Sequence, residues 1–211
     1  MSIASDARFW DRSSRKYAGS AISDQAGYER TLDRTRALLK PSDSVLELGC
    51  GTGTTALQLA ADVQSYLATD ISAGMIAIAN EKHAARRIPG LAFRAATAEA
   101  LAPDAAPFSA VLGFNYLHLV RDLEGTLRRI HALLAPEGLF ISKTACVGDM
   151  NPLLRLAVPV MRAIGMAPHV IVFRAAELSE RIRAADFDII ARESHATKGK
   201  DNRPYIVARK R

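Results

Sequence analysis

Residues 45–55 read VLELGCGTGTT. An apolar run that suits a buried strand ends in three glycines, Gly49, Gly51 and Gly53, alternating with Cys50 and Thr52, and a carboxylate, Glu47, stands just before them. Glycine permits a sharp turn and close backbone approach, so the stretch reads as a strand-to-helix turn pressed against a ligand. Gly49 makes the turn and Gly51 admits the ligand. Gly53 starts a helix near Thr54, whose free N–H groups face an acceptor. On this reading a bulky residue at any of the three positions occludes the site. A triphosphate loop needs Gly-Lys-Ser/Thr after the turn, whereas Gly53 is followed by Thr54 and Thr55. The dinucleotide pattern wants glycine where Thr54 stands, and Glu47 would repel a pyrophosphate. The pair of features suits a ligand carrying an amino group or a cation.

Working outward, strand-like and helix-like segments alternate: helix 24–40 closed by Pro41, the strand at 44–49, helix 54–63, strand 66–70, helix 73–86 and strand 91–94. FSAVLGFN then reads as a buried strand, LEGTLRRIHALLA as a helix, and GLFISKTA as a strand after the turn APEG. Such alternation predicts a doubly wound α/β sheet, mostly parallel. DFDIIARES and RPYIVARK are separated only by HATKGKDN, too short for a crossover, so they pair antiparallel at the sheet's edge and complete seven strands. Residues 1–40 form a helical cap carrying Phe9, Trp10 and Tyr17. Leu153, Ala157, Val160, Met161 and Ile164 share one helical face, and residues 150–172 are expected to insert as a substrate lid, the alternative being a helix packed on the core.

The chain of 211 residues, 49% hydrophobic, is enough for one domain. Cys50 and Cys146 lack metal-ligand spacing, and MSIASDARFWDRSSRK has no signal-peptide core, which predicts a reduced, cytoplasmic protein. The most apolar window, NPLLRLAVPVMRAIGMAPHVIV, is interrupted by Arg155, Pro159, Arg162 and Pro168, so no membrane span is expected. A net charge of +6 is scattered in small groups, which predicts no stable nucleic-acid partner. Nothing here sets an oligomeric state.

About twenty residues past the glycines, Asp70 ends SYLATD, where an acid accepts hydrogen bonds from ribose hydroxyls; the competing reading is an N-cap, but Ser72 caps the next helix as well. The segments ELGCGTG, TDISAGM, FSAVLGFNYLHLV and LLAPEGLFIS resemble those of class I S-adenosylmethionine-dependent methyltransferases, and FWDRSSRKYAGSAISDQAGYERTL resembles a bacterial branch of small members. The resemblance implies a Rossmann-like fold and S-adenosylmethionine as cofactor. It further implies that Gly49, Cys50, Gly51, Gly53 and Thr54 bracket the methionine portion with Glu47 near its amino group. Asp70 would hold the ribose, and Ile71 and Met75 would flank the adenine. ATAEAL matches the adenine-edge loop through Thr97, Ala98 and Glu99, although the family often has aspartate at Thr97. Asn115 and Tyr116 match the wall between cofactor and acceptor. Trp10, Tyr17, Tyr116 and Met161 are the expected acceptor contacts.

A sulfonium methyl is already activated, so positioning and water exclusion can supply most of the rate. His118 is the candidate general base, with a helix-packing histidine as the plainer reading. No acid and histidine cluster points to a metal. The expected activity is metal-independent methylation of a small apolar or aromatic acceptor. The alternatives are an RNA or protein acceptor, a cofactor-binding regulator without turnover, and an NAD-dependent oxidoreductase.

Overall fold

The computed structural model describes residues 2–101, 107–150, 167–197 and 202–211. Helix α1 (Ile3–Ala18) and α2 (Gln25–Arg36) precede β1 (Ser44–Leu48); α3 (Ala56–Leu59) leads to β2 (Ser65–Asp70), and α4 (Ala73–Ala85) to β3 (Leu91–Ala95). Then follow β4 (Phe108–Phe114), α5 (Leu123–Leu133), β5 (Leu134–Lys143), α6 (Ala175–Ala184), β6 (Phe187–Glu193) and β7 (Tyr205–Lys210). The seven strands lie in the order β3-β2-β1-β4-β5-β7-β6. Only β7 runs against its neighbours β5 and β6, which bears out the expected hairpin and sheet.

Alternation along β1 explains the two-sided core. Val45 joins the cluster that includes Leu32, Leu59, Tyr66 and Tyr205, while Leu46 and Leu48 join the opposite one, with Leu127, Phe140 and Phe187. Because Val45 and Glu47 share a face, the carboxylate is buried by the same periodicity that fills the core.

Three boundaries differ from the sequence expectation. The helix expected over 54–63 is α-helical only at Ala56–Leu59 and tightens to a 3₁₀ turn at Ala60–Asp62, because Val63 is already extended on its way into β2. The helix expected over 24–40 stops at Arg36, where Leu38 and Leu39 bond back three residues to Thr35 and Arg36. APEG, expected as a turn before the strand, lies inside β5: Leu134 pairs with Phe108, Leu139 pairs with Ala110, and the register shift between them is absorbed with Glu137 at φ 61. The proposed lid helix, 153–164, lies outside the described residues.

Candidate active site

A cavity of about 1490 Å³ opens at the carboxyl ends of β1, β2 and β4, walled by α1 and the start of α2. All the sequence-nominated site residues line it except Gly53 and Met161, the latter outside the described residues.

The glycine loop divides its labour differently from the expectation that all three positions face the ligand. Gly49, Gly51 and Gly53 all have positive φ, where side chains are strained. A Cβ on Gly49 would come within 2.7 Å of the Tyr116 ring, and one on Gly53 within 2.7 Å of Phe93 and 2.9 Å of Ala79. These two are required by the protein's own packing. A Cβ on Gly51 meets only Tyr17, at 3.7 Å, so Gly51 alone of the three leaves space toward the cavity.

Two polar ties hold the loop. Gly51 N–H donates to Asp70 Oδ2 at 2.9 Å, and Lys82, reaching across from α4, donates to Thr52 O at 3.1 Å, Thr52 Oγ1 at 2.9 Å and Thr54 Oγ1 at 3.2 Å. Ser72, not Asp70, caps α4 by accepting from Met75 N–H at 3.0 Å. Asp70 Oδ1 accepts from Ser72 N–H at 2.9 Å. Burial pushes its carboxyl above the usual range against those two backbone donors. Glu47 is buried, accepts from Tyr66 O–H at 2.9 Å, and is pushed by burial up to about 7. Among the described residues no cation is bonded to it, so this is an acid whose ionised form gains from a positive ligand.

The loop carrying Thr97, Ala98 and Glu99 is pinned from α5: Arg129 donates to Ala98 O at 3.2 Å and to Leu101 O, and Thr126 donates to Glu99 at 3.2 Å. Asn115 turns the chain after β4 at φ 51 and donates its N–H to Lys143 O at 2.7 Å. Tyr116 packs over Gly49. Cys50 is buried with its thiol pushed strongly upward, which removes it as a nucleophile.

On the far wall, Trp10 and Tyr17 from α1 meet edge to face at 6.1 Å. His118 has Nδ1 at 2.8 Å from Thr144 Oγ1; burial, reinforced by the nearby charge of Arg203, pushes it down to about 4, so it is neutral near neutral pH. Sequence reasoning overlooked Lys82, Lys143 and Arg203. Lys143 and Arg203 line the cavity only because β7 returns beside β5, a pairing that no local pattern announces.

Residues 45–138 match the family described as "Methyltransferase domain". This stretch of the chain is similar to a methyltransferase domain. The chain is 35% identical over 115 residues to a ubiquinone biosynthesis O-methyltransferase of Methylocella silvestris, covering 54% of this chain and 44% of that protein. It is 30% identical over 186 residues to a protein of Danio rerio named arginine-hydroxylase NDUFAF5, mitochondrial, covering 81% of this chain and 56% of that one. The chain thus spans about half the length of these curated relatives. In fold it is similar to the DhpI-SAH complex, with a TM-score of 0.73 at 21% identity over 99% of this chain and 96% of that one.

S-adenosylmethionine is the cofactor of such a domain, and the residues present fit it. The open side of Gly51 would receive a ligand's main chain, and Asp70 keeps lone pairs free beyond its two backbone donors. Buried Glu47 suits an ammonium.

Proposed function

We propose that this chain transfers the methyl group of S-adenosylmethionine to a small apolar or aromatic acceptor without a metal ion. The observation that carries the reading is that one continuous cavity joins the glycine loop and Asp70 to a wall of Trp10, Tyr17, Tyr116 and His118. The cofactor would supply an electrophilic methyl group. Asp70 would hold the ribose, Glu47 would face the amino group, and the aromatic wall would orient the acceptor and exclude water. His118 at about 4 is neutral and able to take a proton, yet a weak base, so alignment contributes more to the rate than proton removal.

Calorimetry with S-adenosylhomocysteine, S-adenosylmethionine and NAD tests the cofactor. The two sulfur ligands are expected to bind and NAD is not. Asp70→Ala is expected to weaken S-adenosylhomocysteine binding by at least ~10-fold, by losing charge-assisted hydrogen bonds and the tie to Gly51. Unchanged affinity in a folded variant would sink the assignment. Label from methyl-labelled S-adenosylmethionine should appear in small molecules with or without chelator. Label in RNA or protein, or cofactor binding without transfer, would replace this reading with one of the alternatives.

A further inference from the structure

Strand β5 lies three places from β2 in the sheet, so at about 4.8 Å per strand Lys143 stands about 14 Å across from Asp70. Register places Tyr205 beside Lys143, and Arg203, two residues earlier, is at the same end of the sheet. Both cations line the cavity. The end that holds Glu47 and Asp70 is acidic, and the opposite end carries positive charge.

Lys143 is held in place by a buried chain of polar contacts. Its ammonium donates to Thr31 Oγ1 at 2.8 Å. Thr31 gives its own proton to Gly27 O at 2.8 Å, so Oγ1 is left to accept, and it also lies 3.0 Å from Nδ1 of His195. His195 is buried, stacks on Tyr205 at 4.4 Å, and places Nε2 at 3.1 Å from Glu193, which pairs with Arg34 at 2.8 Å near the surface. Asp24, at the cavity rim, is an acid that feels the charge of Lys143, and its oxygens are bonded to Thr197 and Gly27 N–H. Arg203 acts toward the wall: its charge is felt at both Tyr17 and His118. The aromatic wall and Arg203 therefore border the same part of the cavity, which Lys143 also lines.

We propose that the β5–β7 end of the cavity, through Arg203 and Lys143, binds the carboxylate of an aromatic acid, so that the acceptor is an anionic aromatic small molecule rather than a neutral one. This deepens the methyl-transfer reading and rests on it for the word acceptor. The binding site itself does not require that reading. A guanidinium and a fixed ammonium on one side, with rings of Trp10 and Tyr17 on the other, meet the charged head and the apolar body of such a molecule.

The chain has one tryptophan, Trp10, on the cavity wall, so its fluorescence reports occupancy directly. Wild type is titrated with 3-phenylpropanoate and with its neutral amide, each with and without saturating S-adenosylhomocysteine. The acid is expected to bind at least ~10-fold more tightly than the amide, the difference that a charge-assisted contact makes. Arg203→Gln and Lys143→Met should each shrink that preference to about 3-fold or less, with S-adenosylhomocysteine affinity by calorimetry unchanged. Lys143→Met also strips a donor from Thr31, so Arg203→Gln, which leaves that donor in place, decides. Equal affinity for acid and amide, no binding of either, or a preference that survives Arg203→Gln overturns the proposal. A preference for the acid in a protein that fails to bind S-adenosylhomocysteine would keep the anion site and reject methyl transfer.

Discussion

At the β1–β2 end of the cavity, the important groups are acids: Asp70, fixed by the backbone N–H groups of Ser72 and Gly51, and Glu47, two residues before Gly49 and bonded to the Tyr66 hydroxyl. At the β5–β7 end they are cations and rings brought together from residues 10, 17, 143 and 203, and held by side-chain contacts such as Lys143 to Thr31 and Arg121 to Asp6. The first end rests on the turn of the backbone at the glycine loop, with Lys82 and Tyr66 as its side-chain ties. The second can change its chemistry by exchanging side chains while the sheet stays as it is. A fold that binds one cofactor and varies its acceptor is organised in this way.

That contrast predicts unequal costs of substitution. The largest is expected at Gly53→Val, where the added carbon enters the space of Phe93 and Ala79 at φ +74. Overpacking together with backbone strain should cost roughly 3–5 kcal/mol, read as a lower urea midpoint. Gly51→Ala, with only Tyr17 at 3.7 Å, should cost about 1 kcal/mol of strain and yet weaken S-adenosylhomocysteine binding sharply. Similar stability losses in the two variants would contradict the division of labour within the loop.

A smaller effect is expected from Glu47. Its folded pKa, about 7, lies above the ordinary 4.5, so burial of the neutral acid contributes stability that is fully present below 4.5 and lost as pH rises through about 7. Glu47→Gln removes this dependence. Relative to the variant, wild type should lose on the order of 2–3 kcal/mol across that window, measured by urea unfolding at several pH values. Because a cationic ligand selects the ionised carboxylate, S-adenosylhomocysteine affinity in wild type should rise over the same range. A parallel pH profile for the two proteins would show that the acidic end is not set by burial.

The smallest effect belongs to the far side. Asp6→Asn weakens a partly exposed pair, Arg121 Nε to Asp6 at 2.7 Å, and should cost about 0.5–1 kcal/mol with S-adenosylhomocysteine affinity unchanged. A loss as large as that at Gly53 would erase the difference between the two ends.

The same contrast explains what could be read from the residues in order. Period-two patterns in β1 and β2 and the spacing from Gly49 to Asp70 are local, so the sheet, its closing hairpin and the acidic end were legible. The roles of Gly49 and Gly53 were not, because Tyr116 and Phe93, which forbid a side chain there, come from other strands and turns. The turn reading of APEG failed for a related reason: the turn signal is real, but pairing of Leu134 with Phe108 makes it an irregularity within β5. Lys82, Lys143 and Arg203 carry no motif, and each gains meaning only from the strand or helix set beside it.

Helix α1 touches both ends. Asp11 accepts from Ser72 O–H at 2.6 Å and from Gly74 N–H at 2.9 Å, gripping the turn that follows Asp70, while Asp6 is tied to Arg121 beyond β4. Trp10 and Tyr17 are mounted on that same rod of sixteen residues. One helix thus carries both the grip on the β2–α4 turn and the rings of the opposite wall, so its placement sets the span between the two ends of the cavity.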